Sequence, residues 1–86
     1  MRVIFTEEGF RDYTGWQNGD KKTLKRINEL IKNIQRNGFM GGIGKPEALK
    51  SRKGYSRRID DANRLVYACD EDKNLVIISC KGHYND

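Results

Sequence analysis

A short continuous apolar run, Leu75–Ile78, stands near the C-terminus of the chain. Such a run predicts a strand that is covered on both faces, because alternating polar residues would otherwise mark a solvent-facing side. Polar residues follow abruptly at Lys81 and Gly82, and the only histidine, His83, precedes Tyr84. We therefore expect a central strand whose packed base holds these last side chains in a fixed place.

Two segments upstream carry apolar residues at helical spacing. Thr6 is a candidate N-cap for the first helix, which Gly15 and Gly19 weaken and end. Asp20 caps a longer second helix that runs to about Asn37. The apolar faces comprise Phe10, Tyr13 and Trp16 in the first helix and Leu24, Ile27, Leu30, Ile31 and Ile34 in the second. Each helix therefore has one side that must pack against another element.

Strand signals surround these helices. A short strand, Met1–Phe5, begins the chain, and three more cover Tyr55–Ile59, Arg64–Cys69 and Leu75–Cys80, joined by short turns that predict an antiparallel meander. The glycine-rich segment Phe39–Gly54 is predicted to be an irregular loop. The order is β-α-α-β-β-β. This predicts an α+β fold in one domain, residues 1–86, with two N-terminal helices packed on one face of a four-stranded, mainly antiparallel sheet.

Length and charge restrict the possible functions. A chain of 86 residues has room for one core, so a dimer or a partner would add stability. Seventeen Lys and Arg against twelve Asp and Glu leave a net charge of +5, which favours a polyanion such as nucleic acid, although a soluble protein with excess lysine has the same composition. No apolar run approaches the roughly 20 residues of a membrane span, and Val3–Phe5 is too short for a signal peptide. We expect a cytoplasmic protein that does not associate with membranes.

The two cysteines are too few for a disulfide framework. If the last two strands pair through a turn, Cys69 faces Leu75 while Cys80 lies at the other end, opposite Arg64, and a disulfide is out of reach. With one histidine and no CxxC pair, a zinc site is not expected either. We expect two buried free thiols and no cofactor.

Strand register predicts where two arginines point. If Ile59 shares the core face with Leu65 and Tyr67, alternation places Arg58 on the opposite face together with Arg64. Adjacent arginines repel each other unless an anion is expected between them, and a planar guanidinium binds phosphate oxygens in a bidentate manner. The alternative is that they pair with acidic residues of the neighbouring turns, namely Asp60, Asp61 or Glu71.

Further candidate catalytic side chains are expected at the same end of the sheet, where the last strand ends. Its continuation carries His83 and Tyr84 toward the two arginines, and the glycine-rich loop can place Lys45, Glu47 and Lys50 over that face. A histidine titrates near neutral pH and can protonate a leaving oxygen, a glutamate can accept a proton, and an aromatic ring can stack on a base. These are the parts of a metal-free ribonuclease, although each residue also has an ordinary interpretation as a solvated side chain.

Four motifs follow one another along the chain: Gly-Lys-Pro-Glu-Ala-Leu-Lys (Gly44–Lys50), Tyr-Ser-Arg-Arg-Ile (Tyr55–Ile59), Arg-Leu-Val-Tyr (Arg64–Tyr67) and Cys-Lys-Gly-His-Tyr (Cys80–Tyr84). In this order and at these intervals they resemble the Txe/YoeB family, a group of RelE-like toxins of bacterial toxin–antitoxin systems. The similarity covers nearly the whole chain and includes Ile27–Lys32 of the second helix.

The resemblance implies a ribosome-dependent endoribonuclease that cuts translated mRNA in the ribosomal A site. It also implies a complex with a YefM-like antitoxin, and a toxin homodimer. Carried over by position, Glu47 falls on the general base and His83 on the general acid. Arg58 and Arg64 fall on the phosphate-binding arginines, and Tyr84 on the C-terminal aromatic residue. The basic residues expected to bind RNA are Lys45, Lys50 and Lys81.

The chain departs from the family pattern in places. Asn63 stands where these toxins often have histidine, and Asn85–Asp86 extends past the tyrosine at which many relatives stop. The competing hypotheses are a non-catalytic module that binds ribosomes or RNA or inhibits gyrase, and a basic structural protein of the ribosome. Gyrase-directed relatives generally lack the pair formed by Glu47 and His83, which favours the nuclease.

Overall fold

The computed structural model describes residues 1–83 and has an α+β architecture, as predicted. The strands form one sheet in the order β1-β5-β4-β3-β2, in which β1 runs parallel to β5 and the other neighbours are antiparallel. The elements are β1 (Val3–Phe5), α1 (Glu7–Gln17), α2 (Lys21–Asn37), β2 (Glu47–Ala48), β3 (Tyr55–Arg58), β4 (Arg64–Cys69) and β5 (Leu75–Ser79).

The sheet has one strand more than the four that the sequence predicts. The additional strand β2 consists of two residues within the segment predicted to be an irregular loop, and it pairs Glu47 with Ser56 and Ala48 with Tyr55. Two residues are too few to show the alternation by which a strand is recognised. The pairing therefore depends on how the loop is held against β3.

Helix α1 packs unusually close to β5. The Thr6 hydroxyl accepts a hydrogen bond from the Gly9 N–H at 3.0 Å, which caps the helix, and donates to the Ile78 carbonyl oxygen at 2.9 Å. A Cβ atom on Gly9 would lie 2.4 Å from the carbonyl oxygen of Ile77. The close approach therefore requires glycine at this position.

Helix α2 supplies most of the helical part of the core. Ile27, Leu30 and Ile34 are fully buried, whereas Leu24, predicted in the same stripe, is half-buried. The helix begins after the predicted cap Asp20, which accepts from the Lys22 N–H at 2.9 Å. It ends at Asn37, and the cap Gly38 has a positive φ of 87°, a conformation that favours glycine.

The aromatic face of α1 is only partly buried. Tyr13 and Trp16 pack against the core, and their polar atoms bond to Asn28 at 2.7 Å and to the Cys80 carbonyl oxygen at 2.8 Å. Phe10 is 57% exposed. Its helical spacing with the other two rings therefore did not place it in the core.

Strand β5 is central, as predicted, but it is not covered equally on both faces. Leu75 and Ile77 on the helix side are fully buried, whereas Val76 and Ile78 are half-buried. An irregularity in the pairing of β5 with β4 between Val66 and Tyr67 shifts the register beyond it. The predicted cover is thus complete on the helix side and only partial on the other face.

The cysteines required two corrections. Cys80 is buried, but Cys69 is exposed, at the end of β4 and beside the turn to β5. The strand pattern places Cys69 correctly opposite Leu75, but it does not show how far other elements cover the sheet. Cys80 is not opposite Arg64, because the register shift brings the Arg64 N–H to the carbonyl oxygen of Gly82 at 3.0 Å. Both thiols are free, as predicted. Neither described helix has the length and apolar character needed to cross a membrane.

Candidate functional site

The two arginines singled out in the sequence lie directly opposite each other on β3 and β4. Ile59, Leu65 and Tyr67 are buried on the helix side of the sheet, so Arg58 and Arg64 stand on the opposite, open face. The register argument is confirmed here.

Arg64 is the more enclosed of the two arginines. Its Nε and Nη2 donate to the hydroxyl oxygen of the buried Ser56 at 3.2 and 3.0 Å. Its Nη2 lies 3.8 Å from a carboxylate oxygen of Glu47, and the two side chains are 22% and 70% exposed. Because β2 pairs Glu47 with Ser56, the carboxylate shares the open face with the arginines. The added strand therefore brings this glutamate to the site.

Arg58 has a different partner. Its Nη2 forms an ion pair with Asp61, three residues along in the turn between β3 and β4. The Arg58 side chain is 45% exposed and that of Asp61 is 95% exposed. The ion pair with an acidic residue of the turn, the alternative to phosphate binding, is thus present for Arg58. A pair this exposed is weak, and other anions can replace the carboxylate.

His83 follows a backbone segment that is fixed beside the arginines. The Arg64 N–H donates to the Gly82 carbonyl oxygen at 3.0 Å, and the Gly82 N–H donates to Oδ1 of Asn63 at 2.8 Å. Asn63 is itself held, because its Nδ2 donates to Asp60 at 3.0 Å. His83 is exposed at the end of this segment. Tyr84 lies outside the described residues.

The three lysines expected to bind RNA are all exposed but are not brought together. Lys45 has a left-handed backbone conformation, with φ 52°. Lys50 lines a groove of about 490 Å³ together with Arg52 and Lys53. Lys81 lines a separate groove of about 250 Å³ against α1. Lys50 and Lys81 therefore lie in two different grooves.

Sequence analysis missed Arg57, which is fully buried on the helix side of the sheet. It pairs with Leu65 across the strands and donates from Nε to the hydroxyl of Tyr67 at 2.8 Å. Burial raises the pKa of that tyrosine, and the hydrogen bond from Arg57 opposes the rise. The signal was available, because alternation from Ile59 puts this arginine, a charged residue, on the core face.

A second buried titratable group lies away from the open face. Burial raises the pKa of Cys80 to about 12, and the nearby carboxylate of Asp12 adds to the rise. Asp12 also accepts a hydrogen bond from the Cys80 N–H at 3.0 Å. This thiol is therefore protonated at neutral pH and acts as an apolar core group.

The open face combines two guanidinium groups, a carboxylate and a nearby histidine segment. Guanidinium groups bind phosphate oxygens, and carboxylate and imidazole groups can accept and donate protons in catalysis. Within residues 1–83, no three His, Cys, Asp or Glu side chains are grouped so that they could hold a metal ion. Two arginines on one face of the sheet of a basic protein are chemically suited to bind an anion.

The chain belongs to the YoeB-like toxins of bacterial type II toxin–antitoxin systems, whose family model matches residues 5–84. It is 55% identical to a toxin YoeB of Synechocystis sp. over 86 residues, which covers 98% of both chains. A YoeB dimer from Staphylococcus aureus has 50% identity and a TM-score of 0.89, with 98% of each chain covered. The heterotetrameric YoeB–YefM complex from the same organism has 50% identity and a TM-score of 0.88, with the same coverage. The predicted family resemblance is confirmed.

Proposed function

We propose that this protein is a ribosome-dependent endoribonuclease that cleaves translated mRNA in the ribosomal A site. The observation that carries the proposal is the pair Arg58 and Arg64 facing each other on the open face, with the Glu47 carboxylate 3.8 Å from the Arg64 guanidinium. A scissile phosphodiester between these cations would bring its neighbouring 2′-hydroxyl to the carboxylate. Membership of a toxin family supports the same conclusion.

The reaction proceeds by attack of the 2′-oxygen on the adjacent phosphorus. Glu47 takes the proton of the 2′-hydroxyl as the new O2′–P bond forms, and His83 protonates the 5′-oxygen as the P–O5′ bond breaks. The two arginines stabilise the additional negative charge on the phosphorus oxygens in the transition state. Tyr84 stacks on a base or holds the phosphate, and Lys45, Lys50 and Lys81 bind the RNA backbone around the site.

The same proposal includes the protein's partners. Relatives of very similar fold occur as a YoeB dimer and in a YoeB–YefM heterotetramer. We therefore assign this chain a cognate YefM-like antitoxin that blocks its activity, and a homodimeric free state. Because its proposed substrate is mRNA on ribosomes, we expect the protein to act in the cytoplasm. We also assign residues 1–86 to a single toxin domain.

The test is single-turnover cleavage of a defined message on ribosomes with an empty A site, read by primer extension. Wild-type protein should cut the message in the A-site codon and leave the same RNA intact without ribosomes. Glu47→Ala and His83→Gln should each lower the cleavage rate by about 10²–10⁴-fold, the usual contribution of a general acid or base. Glu71→Ala, an exposed glutamate in the turn after β4, is the matched control and should cleave as wild type.

If the two site variants cleave as fast as wild type, the roles assigned to Glu47 and His83 are wrong. If wild-type protein binds programmed ribosomes without producing any cut, the chain is a binding module rather than a nuclease.

A further inference from the structure

Arg57 is a buried cation that has no carboxylate partner within residues 1–83. A guanidinium stays charged in proteins, and burial of an uncompensated charge is costly. The structure therefore has to supply some other stabilisation. It does so with six oxygen acceptors, four of which are backbone carbonyl groups of one glycine-rich loop.

All five N–H donors of Arg57 are used. Nε donates to the Tyr67 hydroxyl at 2.8 Å, and Nη1 donates to Asn33 Oδ1 at 3.0 Å. The remaining bonds go from Nη1 and Nη2 to backbone carbonyl oxygens of the loop: Ile43 at 2.8 Å, Gly38 at 2.9 Å, Gly41 at 2.6 Å and, more weakly, Phe39 at 3.4 Å. The Arg57 side chain thus binds carbonyl oxygens along the whole loop from residue 38 to residue 43.

The two side-chain acceptors also hold this loop. Asn33 Oδ1 accepts the Ile43 N–H at 3.0 Å in addition to Arg57. The Tyr67 hydroxyl donates to the Phe39 carbonyl oxygen at 2.6 Å. We call Arg57, Asn33 and Tyr67 the loop clamp. Each of its members comes from a different element, so the clamp joins the loop to α2, β3 and β4 at once.

The loop leads directly to the proposed general base. Just beyond the clamped carbonyl groups, the Gly44 carbonyl oxygen accepts the Arg58 N–H at 2.7 Å, which ties the loop to β3. A Cβ atom on Gly44 would lie 2.7 Å from Leu30 Cδ2 and 3.2 Å from the Arg57 Cβ, so the loop lies tightly over the clamp. Glu47 follows after two further residues. The position of its carboxylate is therefore set by a loop that the clamp holds.

We propose that Arg57 is a positioning residue that fixes Glu47 against Arg64 through the loop clamp. A glycine-rich loop samples many backbone conformations when it is free, because glycine has little conformational restriction. Four hydrogen bonds from one rigid planar group to the loop carbonyl oxygens favour a single conformation. Arg57 itself does not reach the open face, where Arg58 and Arg64 stand. The inference rests on the proposed function, in which Glu47 is the base.

The test compares Arg57→Lys with wild type in single-turnover cleavage and in amide hydrogen exchange. Lysine has a side chain of similar length but carries three donors on one atom, so it cannot hold the loop at separate points. Because a displacement of about 1 Å at a reacting group can cost roughly 10²-fold, the cleavage rate at saturating ribosome complexes should fall by about that factor. The ribosome concentration at half-maximal rate should not change, since the phosphate-binding arginines remain.

Hydrogen exchange distinguishes positioning from a general effect on the fold. Amides of residues 38–48 should lose protection in Arg57→Lys, while those of β4 and β5 keep it. Arg36→Lys, an exposed arginine in the last turn of α2, is the matched control and should behave as wild type in both measurements.

Two variants of Asn33 test the clamp without removing the buried charge. Asn33→Asp retains an acceptor for both Arg57 and the Ile43 N–H, and should keep its cleavage rate and its loop protection. Asn33→Leu has a similar size but no acceptor, and should lose both in the same pattern as Arg57→Lys.

The inference is overturned if Arg57→Lys and Asn33→Leu cleave within about twofold of wild type. It is equally overturned if their loss of protection extends through β4 and β5, because the residue is then a general stabiliser. Failure of the proposed function has a different signature. In that case wild-type protein cuts no message, while the exchange data alone still show whether Arg57 holds residues 38–48.

Discussion

Arg58 and Arg64 are cross-strand partners whose guanidinium groups share the open face of the sheet. Like charges directly opposite each other destabilise an antiparallel pair. Each arginine therefore has an acidic neighbour, Asp61 for the first and Glu47 for the second. In the proposed function, phosphate oxygens of the RNA replace these carboxylates as the partners of the two arginines. The positive charge of the two arginines is thus partly neutralised within the protein itself.

Asp61→Asn should strengthen binding to programmed ribosomes. If Arg58 binds phosphate as proposed, the carboxylate of Asp61 competes with that phosphate, and its removal leaves the guanidinium available. We expect the ribosome concentration at half-maximal cleavage rate to fall a few-fold at low salt and the gain to vanish at high salt, where exposed charges are screened. Asp72→Asn, an equally charged change in the turn before β5, should have no such effect. Weaker binding by Asp61→Asn would mean that this carboxylate orients Arg58 rather than competing for it.

Gly9→Ala should destabilise the fold. The new methyl group would lie 2.4 Å from the Ile77 carbonyl oxygen, and because that atom is backbone, α1 has to move away from β5. Overpacking of this kind costs about 1–3 kcal/mol of unfolding free energy, measured by urea denaturation. Gly15→Ala in the same helix has nothing within 4 Å and should instead raise stability by about 0.5–1 kcal/mol through helix propensity. Equal effects of the two changes would contradict the close packing.

The cap of α2 should make stability depend on pH in the acidic range. Hydrogen bonds from the Thr23 hydroxyl and from the Lys22 N–H hold the pKa of Asp20 below its ordinary value of 3.8. Because the folded pKa is the lower one, the carboxylate's contribution is fully present above 3.8 and is lost as the pH falls through the folded pKa. Asp20→Ala should lower Tm at neutral pH, and its deficit relative to wild type should shrink in acid.

The check is thermal unfolding of both proteins across that pH range, followed by circular dichroism. Asp20→Asn, which keeps a capping oxygen without a charge, is the control, and its difference from Asp20→Ala should not change with pH. A wild-type advantage over Asp20→Ala that stays constant into strong acid would contradict this account of the cap.

The two thiols should react at very different rates. Cys69 is exposed, whereas burial and the neighbouring Asp12 raise the pKa of Cys80 to about 12, and only a thiolate reacts rapidly. In native protein at mildly alkaline pH, a thiol-reactive dye should label one cysteine quickly and the other only on unfolding. Cys69→Ser should abolish the fast phase. A fast phase that survives in Cys69→Ser would show that the Cys80 thiol is reached in the folded state.

Much of the fold was predictable because it follows from the local spacing of apolar, polar and capping residues. The caps Thr6 and Asp20, the apolar stripe of α2 and the central place of β5 were all predicted, and alternation from Ile59 put Arg58 on the open face. These features depend on the period of a helix or a strand, which a few neighbouring residues suffice to define. The boundaries were less accurate by a residue or two, since helix and strand ends depend on their surroundings.

The errors have a common physical origin. Strand β2, the exposure of Cys69 and the register shift in β5 all depend on what packs beside a segment rather than on the segment itself. Arg57 is the clearest case. Its place on the core face follows from alternation, but the reason a charge is tolerated there is a loop whose carbonyl oxygens come from residues 14 to 19 positions away in sequence.

The amino-acid sequence by itself determined the helices, the order of the main strands, the family and the arginine, glutamate and histidine side chains of the candidate site. Local spacing and residue type suffice for these, because they involve interactions over a turn of helix or a pair of strand positions. Only the tertiary structure decided that Glu47 lies beside Arg64, that Asp61 pairs with Arg58, and that a buried guanidinium holds the loop. Such contacts join segments remote in the chain, and their geometry is set by the packing of the whole domain.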